Sequence, residues 1–135
     1  MSDVVGTILL VEDEDGIRLT LRDYLESEGH TVHVASDGVG AIKLLLDHSI
    51  DVVVTDFRME VFGGDYWIRF LKHYCPDVHV LITSAYLRPE FDIPFEVVYK
   101  PFDYGELNKR IAVVLQARAA TGAGGVTGAN GAGGV

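Results

Sequence analysis

The amino-acid sequence predicts an α/β fold, a doubly wound parallel sheet covered on both faces. Three observations predict it. Short apolar runs at residues 7–11, 32–35, 52–55, 80–83 and 97–99 are mostly β-branched and apolar on both sides, as strands buried between two layers must be. Stretches of helical period alternate with them, the pattern of βαβ units. The chain has 135 residues, 48% of them apolar, which suffices for one core and not for two.

Each element has its own warrant. After the first strand, Ile17, Leu21, Tyr24 and Leu25 fall on one helical face, and Gly29 closes that helix as a C-terminal cap. The strand at 32–35 leads to a second helix over residues 39–48. The strand at 52–55 is followed by a third helix, with Trp67, Phe70, Leu71 and Tyr74 on its apolar face and Pro76 beyond its end. The strands at 80–83 and 97–99 precede a last helix. Asp103 caps its start, Leu107, Ile111, Val114 and Leu115 form its stripe, and Arg118 suits its end. These stripes read as core. The folded body is expected over residues 3–119, and the Gly/Ala-rich residues 120–135 read as a flexible tail with too little side chain to bury.

Composition narrows function. With 11 Lys and Arg against 20 Asp and Glu, the formal charge is −9, which repels nucleic-acid phosphates and argues against a nucleic-acid partner. The lone Cys75 forms no intrachain disulfide, and no basic-then-apolar signal opens the sequence. No apolar run approaches the about 20 residues that span a bilayer. These features together predict a cytoplasmic protein without a membrane partner.

In doubly wound sheets ligands sit beyond the carboxyl ends of the strands. The first strand ends in Glu12 and Asp13, the third in Asp56, the fourth in Ser84 and the fifth in Lys100-Pro101. Three carboxylates, a hydroxyl and an ammonium group therefore converge on one edge. Packed carboxylates repel unless a cation is present, and oxygen ligands of this kind suit Mg²⁺. One carboxylate can then act as nucleophile toward phosphorus, while the Ser hydroxyl and the Lys ammonium hold phosphoryl oxygens.

The segments ILLVEDED, DVVVTDFRM, VLITSAY and YKPF, in this order and at these intervals, resemble the receiver domain of response regulators, the CheY-like family of two-component signalling. The resemblance spans roughly residues 5–118. It implies a flavodoxin-like sheet in the order 2-1-3-4-5. It implies phosphorylation on Asp56, with Ser84 as switch hydroxyl and Lys100 as its charge partner. Asp13, Asp56, the Arg58 backbone carbonyl and, through water, Glu12 would hold Mg²⁺. The Lys100–Pro101 bond would be cis, and Asp37-Gly38 would turn the chain into the second helix. The expected donor is a sensor histidine kinase or phosphotransfer protein. The expected output is binding to a downstream protein, or self-association through the region after Ser84.

Three departures from the family pattern stand out. Glu60 occupies a usual proline position, although Gly64 keeps the later glycine. Val97 replaces the usual switch aromatic, with Tyr99 on the same strand face. Residues 85–99, with Pro89 and Pro94, leave room only for a shortened or missing fourth helix. The competing reading is a pseudo-receiver that binds partners without phosphorylation. A dehalogenase-like phosphohydrolase would need an Asp where Arg58 stands, and a nucleotide-binding turn would need glycines where VEDEDG is acidic.

Overall fold

The computed structural model describes residues 4–59, 61–85 and 95–121, Thr121 by its backbone alone. Nine elements follow one another among these residues: β1 (Thr7–Val11), α1 (Asp15–Ser27), β2 (Thr31–Ala35), α2 (Gly38–Asp47), β3 (Val52–Asp56), α3 (Gly64–Tyr74), β4 (His79–Ser84), β5 (Glu96–Tyr99) and α4 (Tyr104–Thr121). The five strands form one parallel sheet in the order β2-β1-β3-β4-β5. This is the flavodoxin-like topology that the resemblance implies.

Alternation along each strand divides the core in two. Leu9, Val11, Val53, Val80 and Ile82 face α2 and α3, where they meet Ala41, Trp67, Ile68 and Leu71. Ile8, Leu10, Val52, Val54 and Leu81 face α1 and α4, where they meet Leu21, Leu25, Leu107, Ile111 and Val114. Every residue of β3 is buried, so the central strand is held from both layers. At about 2 kcal/mol for each fully buried aliphatic side chain, this packing makes the strand ends rigid supports.

The helix starts follow from local chemistry. The Asp37 carboxylate accepts from the Gly40 backbone N–H at 2.9 Å, and the Asp103 carboxylate from Gly105 at 2.7 Å. Gly29, at φ +102°, ends α1 as anticipated. Two details differ from expectation. Tyr74 is 75% exposed rather than core, because it sits at the end of α3 where the helix runs past the sheet. The last helix continues beyond Arg118 to Thr121, while the Arg118 guanidinium turns back to donate to the Asp77 carbonyl.

The end of the sheet opposite the strand carboxyl termini is tied by polar contacts. Asp51 accepts from the Thr7 N–H at 2.9 Å, and its own N–H donates to the Thr7 carbonyl. His30 accepts from the Gly6 N–H on Nδ1, which leaves Nε2 to donate to Asn108 at 2.7 Å.

The connection from β4 to β5 covers only residues 85–95, whereas each earlier crossover carries a full helix. The fourth helix of the family pattern is accordingly shortened or missing. Residues 86–94, where the sequence suggested self-association, lie outside the described residues, as do Glu60 and the glycine-rich residues 122–135.

The β3–α3 loop is clamped to the start of α2. The Gly38 N–H donates to the Val61 carbonyl, and Phe62 takes φ 47°, a conformation that costs an aromatic residue free energy. A Cβ on Gly38 would lie 2.1 Å from the Phe62 carbonyl oxygen. Gly38→Ala is therefore expected to lower stability by about 2 kcal/mol, despite alanine's advantage in helices. Gly16→Ala in α1, where a Cβ meets nothing within 4 Å, should instead gain up to about 0.5 kcal/mol. Urea midpoints of the two variants check both signs.

Candidate functional site

The carboxyl edge of the sheet gathers residues from four strands. β1 delivers Glu12 and Asp13, and the Glu12 N–H continues the ladder by donating to the Ala35 carbonyl of β2. Asp56 is the last residue of β3 and Ser84 the last of β4. Lys100 follows β5, with its N–H donating to the Ser84 carbonyl at 2.8 Å, and the Lys100–Pro101 bond is cis. Glu12, Asp56 and Ser84 are buried, and Asp13 is exposed.

One ammonium group lies among the acids. Lys100 Nζ is 3.0 Å from Glu12 Oε1 and 3.4 Å from Asp56 Oδ1. Oxygens of Glu12, Asp13 and Asp56 all come within 4.8 Å of one another. Burial first, then the Glu12 charge, raises the Asp56 carboxyl to about 6, with Asp13 adding to the rise and Lys100 opposing it. For Lys100, burial works to lower the pKa. The hydrogen bond to Glu12 and the charges of Asp56 and Glu12 outweigh it, so the ammonium is held above its ordinary range.

Glu12 is itself fixed. Its Oε2 accepts from the Glu14 N–H at 3.2 Å, and its backbone carbonyl accepts from the Arg18 guanidinium at 2.9 Å. Arg18 also pairs with Asp15 at 2.6 Å, so the β1–α1 turn is held from α1. Arg58 is exposed and lines a shallow pocket of about 340 Å³ with Asp13, Phe57, Met59, Gly63 and Gly64, open beside the acidic cluster. The Phe57 carbonyl accepts from the Gly64 N–H at 2.8 Å, which closes this loop, and Gly64 takes φ +59° as only glycine does readily.

The structure thus brings Glu12, Asp13, Asp56 and Lys100 together, with Ser84 at the adjacent strand end and Arg58 on the pocket rim. Sequence reasoning missed Arg18, whose clamp on the Glu12 carbonyl crosses from helix to strand end. It also missed Thr55 and Trp67. The Trp67 indole N–H donates to Thr55 Oγ1 at 2.8 Å, and that hydroxyl donates to the Asp56 carbonyl at 3.0 Å. A buried tryptophan needs a partner for its N–H, and that was the available signal.

A doubly wound parallel sheet with carboxylates gathered at its carboxyl edge defines an α/β domain whose ligands sit at the strand ends. The profile of the response regulator receiver domain matches residues 8–112, and the chain belongs to that family. It is 34% identical over 119 residues to the sensor kinase CckA of Brucella abortus, matching 82% of this chain and 13% of the kinase. It is 31% identical to the regulatory protein AtoC of Escherichia coli, matching 83% of this chain and 26% of that protein. The chain therefore spans only a minor part of these relatives. Among solved structures, a Francisella response regulator receiver domain superposes with a TM-score of 0.75 at 25% identity, covering 82% of this chain and 97% of that one. The response regulator TrrA of Thermotoga maritima, in complex with Mg²⁺ and BeF, gives 0.72 at 26% identity, covering 81% and 98%.

The raised Asp56 pKa sets a pH dependence in metal-free buffer. A carboxyl that titrates near 6 folded and 3.8 unfolded binds more protons in the folded state between these values, so stability falls as pH rises through that window. Above the window the penalty is complete. Asp56→Asn is thus expected to raise stability at pH 7.5 by up to about 3 kcal/mol, with the gain vanishing below about pH 4. Chemical denaturation with chelator present, across this range, measures the difference.

Proposed function

We propose that this receiver domain accepts a phosphoryl group on Asp56 with Mg²⁺ bound at Glu12, Asp13 and Asp56, and signals by protein–protein interaction. The observation that carries the reading is the acidic cluster around a buried Asp56, with a single ammonium in contact. Its donor set fits the ion: three carboxylates offer oxygens within 4.8 Å of one another, and the Glu12 and Asp13 charges add to burial in raising the Asp56 pKa. Asp13 and Asp56 would hold the cation directly, together with the Arg58 backbone carbonyl. Glu12, already engaged by Lys100 and the Glu14 N–H, would act through water. When bound, Mg²⁺ supplies charge neutralisation for the transferring phosphoryl oxygens and keeps Asp56 ionised.

The chain's own groups then divide the work. An Asp56 carboxylate oxygen attacks the phosphorus of the donor. The new O–P bond forms as the donor's P–N bond breaks, and the electron pair returns to the imidazole nitrogen. Lys100 stands 3.4 Å from Asp56 and would follow the charge onto a phosphoryl oxygen. Ser84 would close on another. The same groups would assist self-phosphorylation from small donors and later dephosphorylation.

A phosphohistidine on a sensor kinase or phosphotransfer protein is the expected donor, which argues for a cytoplasmic location. No helix among the described residues is long and apolar enough to cross a membrane. Residues 3–119 would act as the receiver and 120–135 as a tail. A phosphorylation-independent role has no comparable support, since the set of acidic, hydroxyl and ammonium groups is complete.

Incubation with acetyl phosphate and Mg²⁺ should add one phosphoryl group by intact mass, lost with chelator and absent in Asp56→Asn. An unmodified wild-type chain under conditions where Mg²⁺ demonstrably binds would overturn the acceptor role.

A further inference from the structure

The hydrogen bonds behind Asp56 carry a consequence for its chemistry. Trp67 is the sole tryptophan of the chain, and both it and Thr55 are fully buried. The indole N–H is a donor only, so it occupies a lone pair of the Thr55 hydroxyl at 2.8 Å. The single hydroxyl proton is left to the Asp56 carbonyl at 3.0 Å. The N–H half of the same peptide, that of Phe57, donates to the Thr83 carbonyl, and the Phe57 carbonyl of the next peptide accepts from the Gly64 N–H. The indole cannot easily turn. Phe70 stacks on it at 5.9 Å between centroids, and Phe62 meets its edge at 6.2 Å.

We propose that Thr55 and Trp67 are positioning residues for phosphoryl transfer at Asp56. Trp67 orients the Thr55 hydroxyl, the hydroxyl holds the Asp56 peptide, and the peptide sets the direction in which the carboxylate meets Lys100 and the incoming phosphorus. The inference rests on Asp56 being the acceptor. A purely structural role would have Thr55 do no more than satisfy a buried N–H, which affects folding and leaves transfer by folded molecules unchanged.

The test compares wild type, Thr55→Val, Thr55→Ser, Trp67→Phe and the Thr55→Val/Trp67→Phe double variant. Each is assayed for the rate of mass gain from acetyl phosphate at saturating Mg²⁺, expressed per folded molecule, with stability measured in parallel by urea denaturation. Thr55→Val and Trp67→Phe are each expected to slow transfer about fivefold, the scale of one hydrogen bond. The double variant should be no slower than the singles, because both act through one hydroxyl. It leaves no buried indole N–H unpaired, so it also remains a folded test if Thr55→Val is too unstable to assay. Thr55→Ser keeps the hydroxyl and should retain the wild-type rate. Wild-type speed in any folded variant lacking the Thr55 hydroxyl overturns the proposal, as does a slow Thr55→Ser. A wild-type chain that gains no mass removes the acceptor reading itself, and this inference with it. That failure is seen in the wild-type sample alone, before any variant is compared.

Discussion

Mutual repulsion of carboxylates at the carboxyl edge of the sheet is the constraint on which the rest of this structure depends. Glu12, Asp13 and Asp56 come together only because β1 and β3 are neighbours in register, and Glu12 and Asp56 are buried where water screens them poorly. Lys100 offsets part of the cost, yet burial and the Glu12 charge still hold the Asp56 pKa near 6. A site in this condition favours any ligand that brings positive charge to its open side. The exposed Asp13 and the shallow pocket beside it lie on that side.

The strain is held by two cores rather than by the site. Leu9 and Val11 lock β1 to the α2–α3 layer, Ile8 and Leu10 lock it to the α1–α4 layer, and β3 is buried along its length. Polar ties at the opposite end, Asp51 to Thr7 and His30 to Gly6 and Asn108, stop the strands from sliding to separate the acids. A strand slip would relieve the repulsion but would move whole rows of aliphatic side chains, and that packing is worth more than the repulsion.

Much of this was legible in the sequence, because it is governed by local pattern. The strands at 7–11 and 52–55 and the stripe of Leu107, Ile111, Val114 and Leu115 follow from residue type and period alone. The parallel fold then brings Glu12, Asp13, Asp56, Ser84 and Lys100 to one edge without further information. Contacts between layers were not legible. Arg18 reaching the Glu12 carbonyl, or Phe62 taking a positive φ against Gly38, depends on how helices seat on the sheet. Trp67 shows the difference best: its place in the core follows from helical spacing, but its partner Thr55 lies on another layer and could be found only by asking where the indole N–H goes. Tyr74 failed for the reverse reason, since a periodic face says nothing about where the sheet beneath it ends.

The same layering bears on how this receiver differs from its family pattern. The switch aromatic expected on the last strand is replaced by Val97, which packs against the α2–α3 core, while Tyr99 is 56% exposed. β5, at the edge of the sheet, runs only from Glu96 to Tyr99. Helix α3 is built differently. It is hydrogen-bonded to β3 through Trp67 and Thr55, and the contacts continue from Trp67 to Phe70 and from Phe70 to the exposed Tyr74. Displacement of the Asp56 peptide would require either breaking a buried hydrogen bond or moving α3 with it. An unpaired buried indole N–H costs about 1–3 kcal/mol, so a displacement that carries Thr55 with the peptide draws Trp67 and α3 after it.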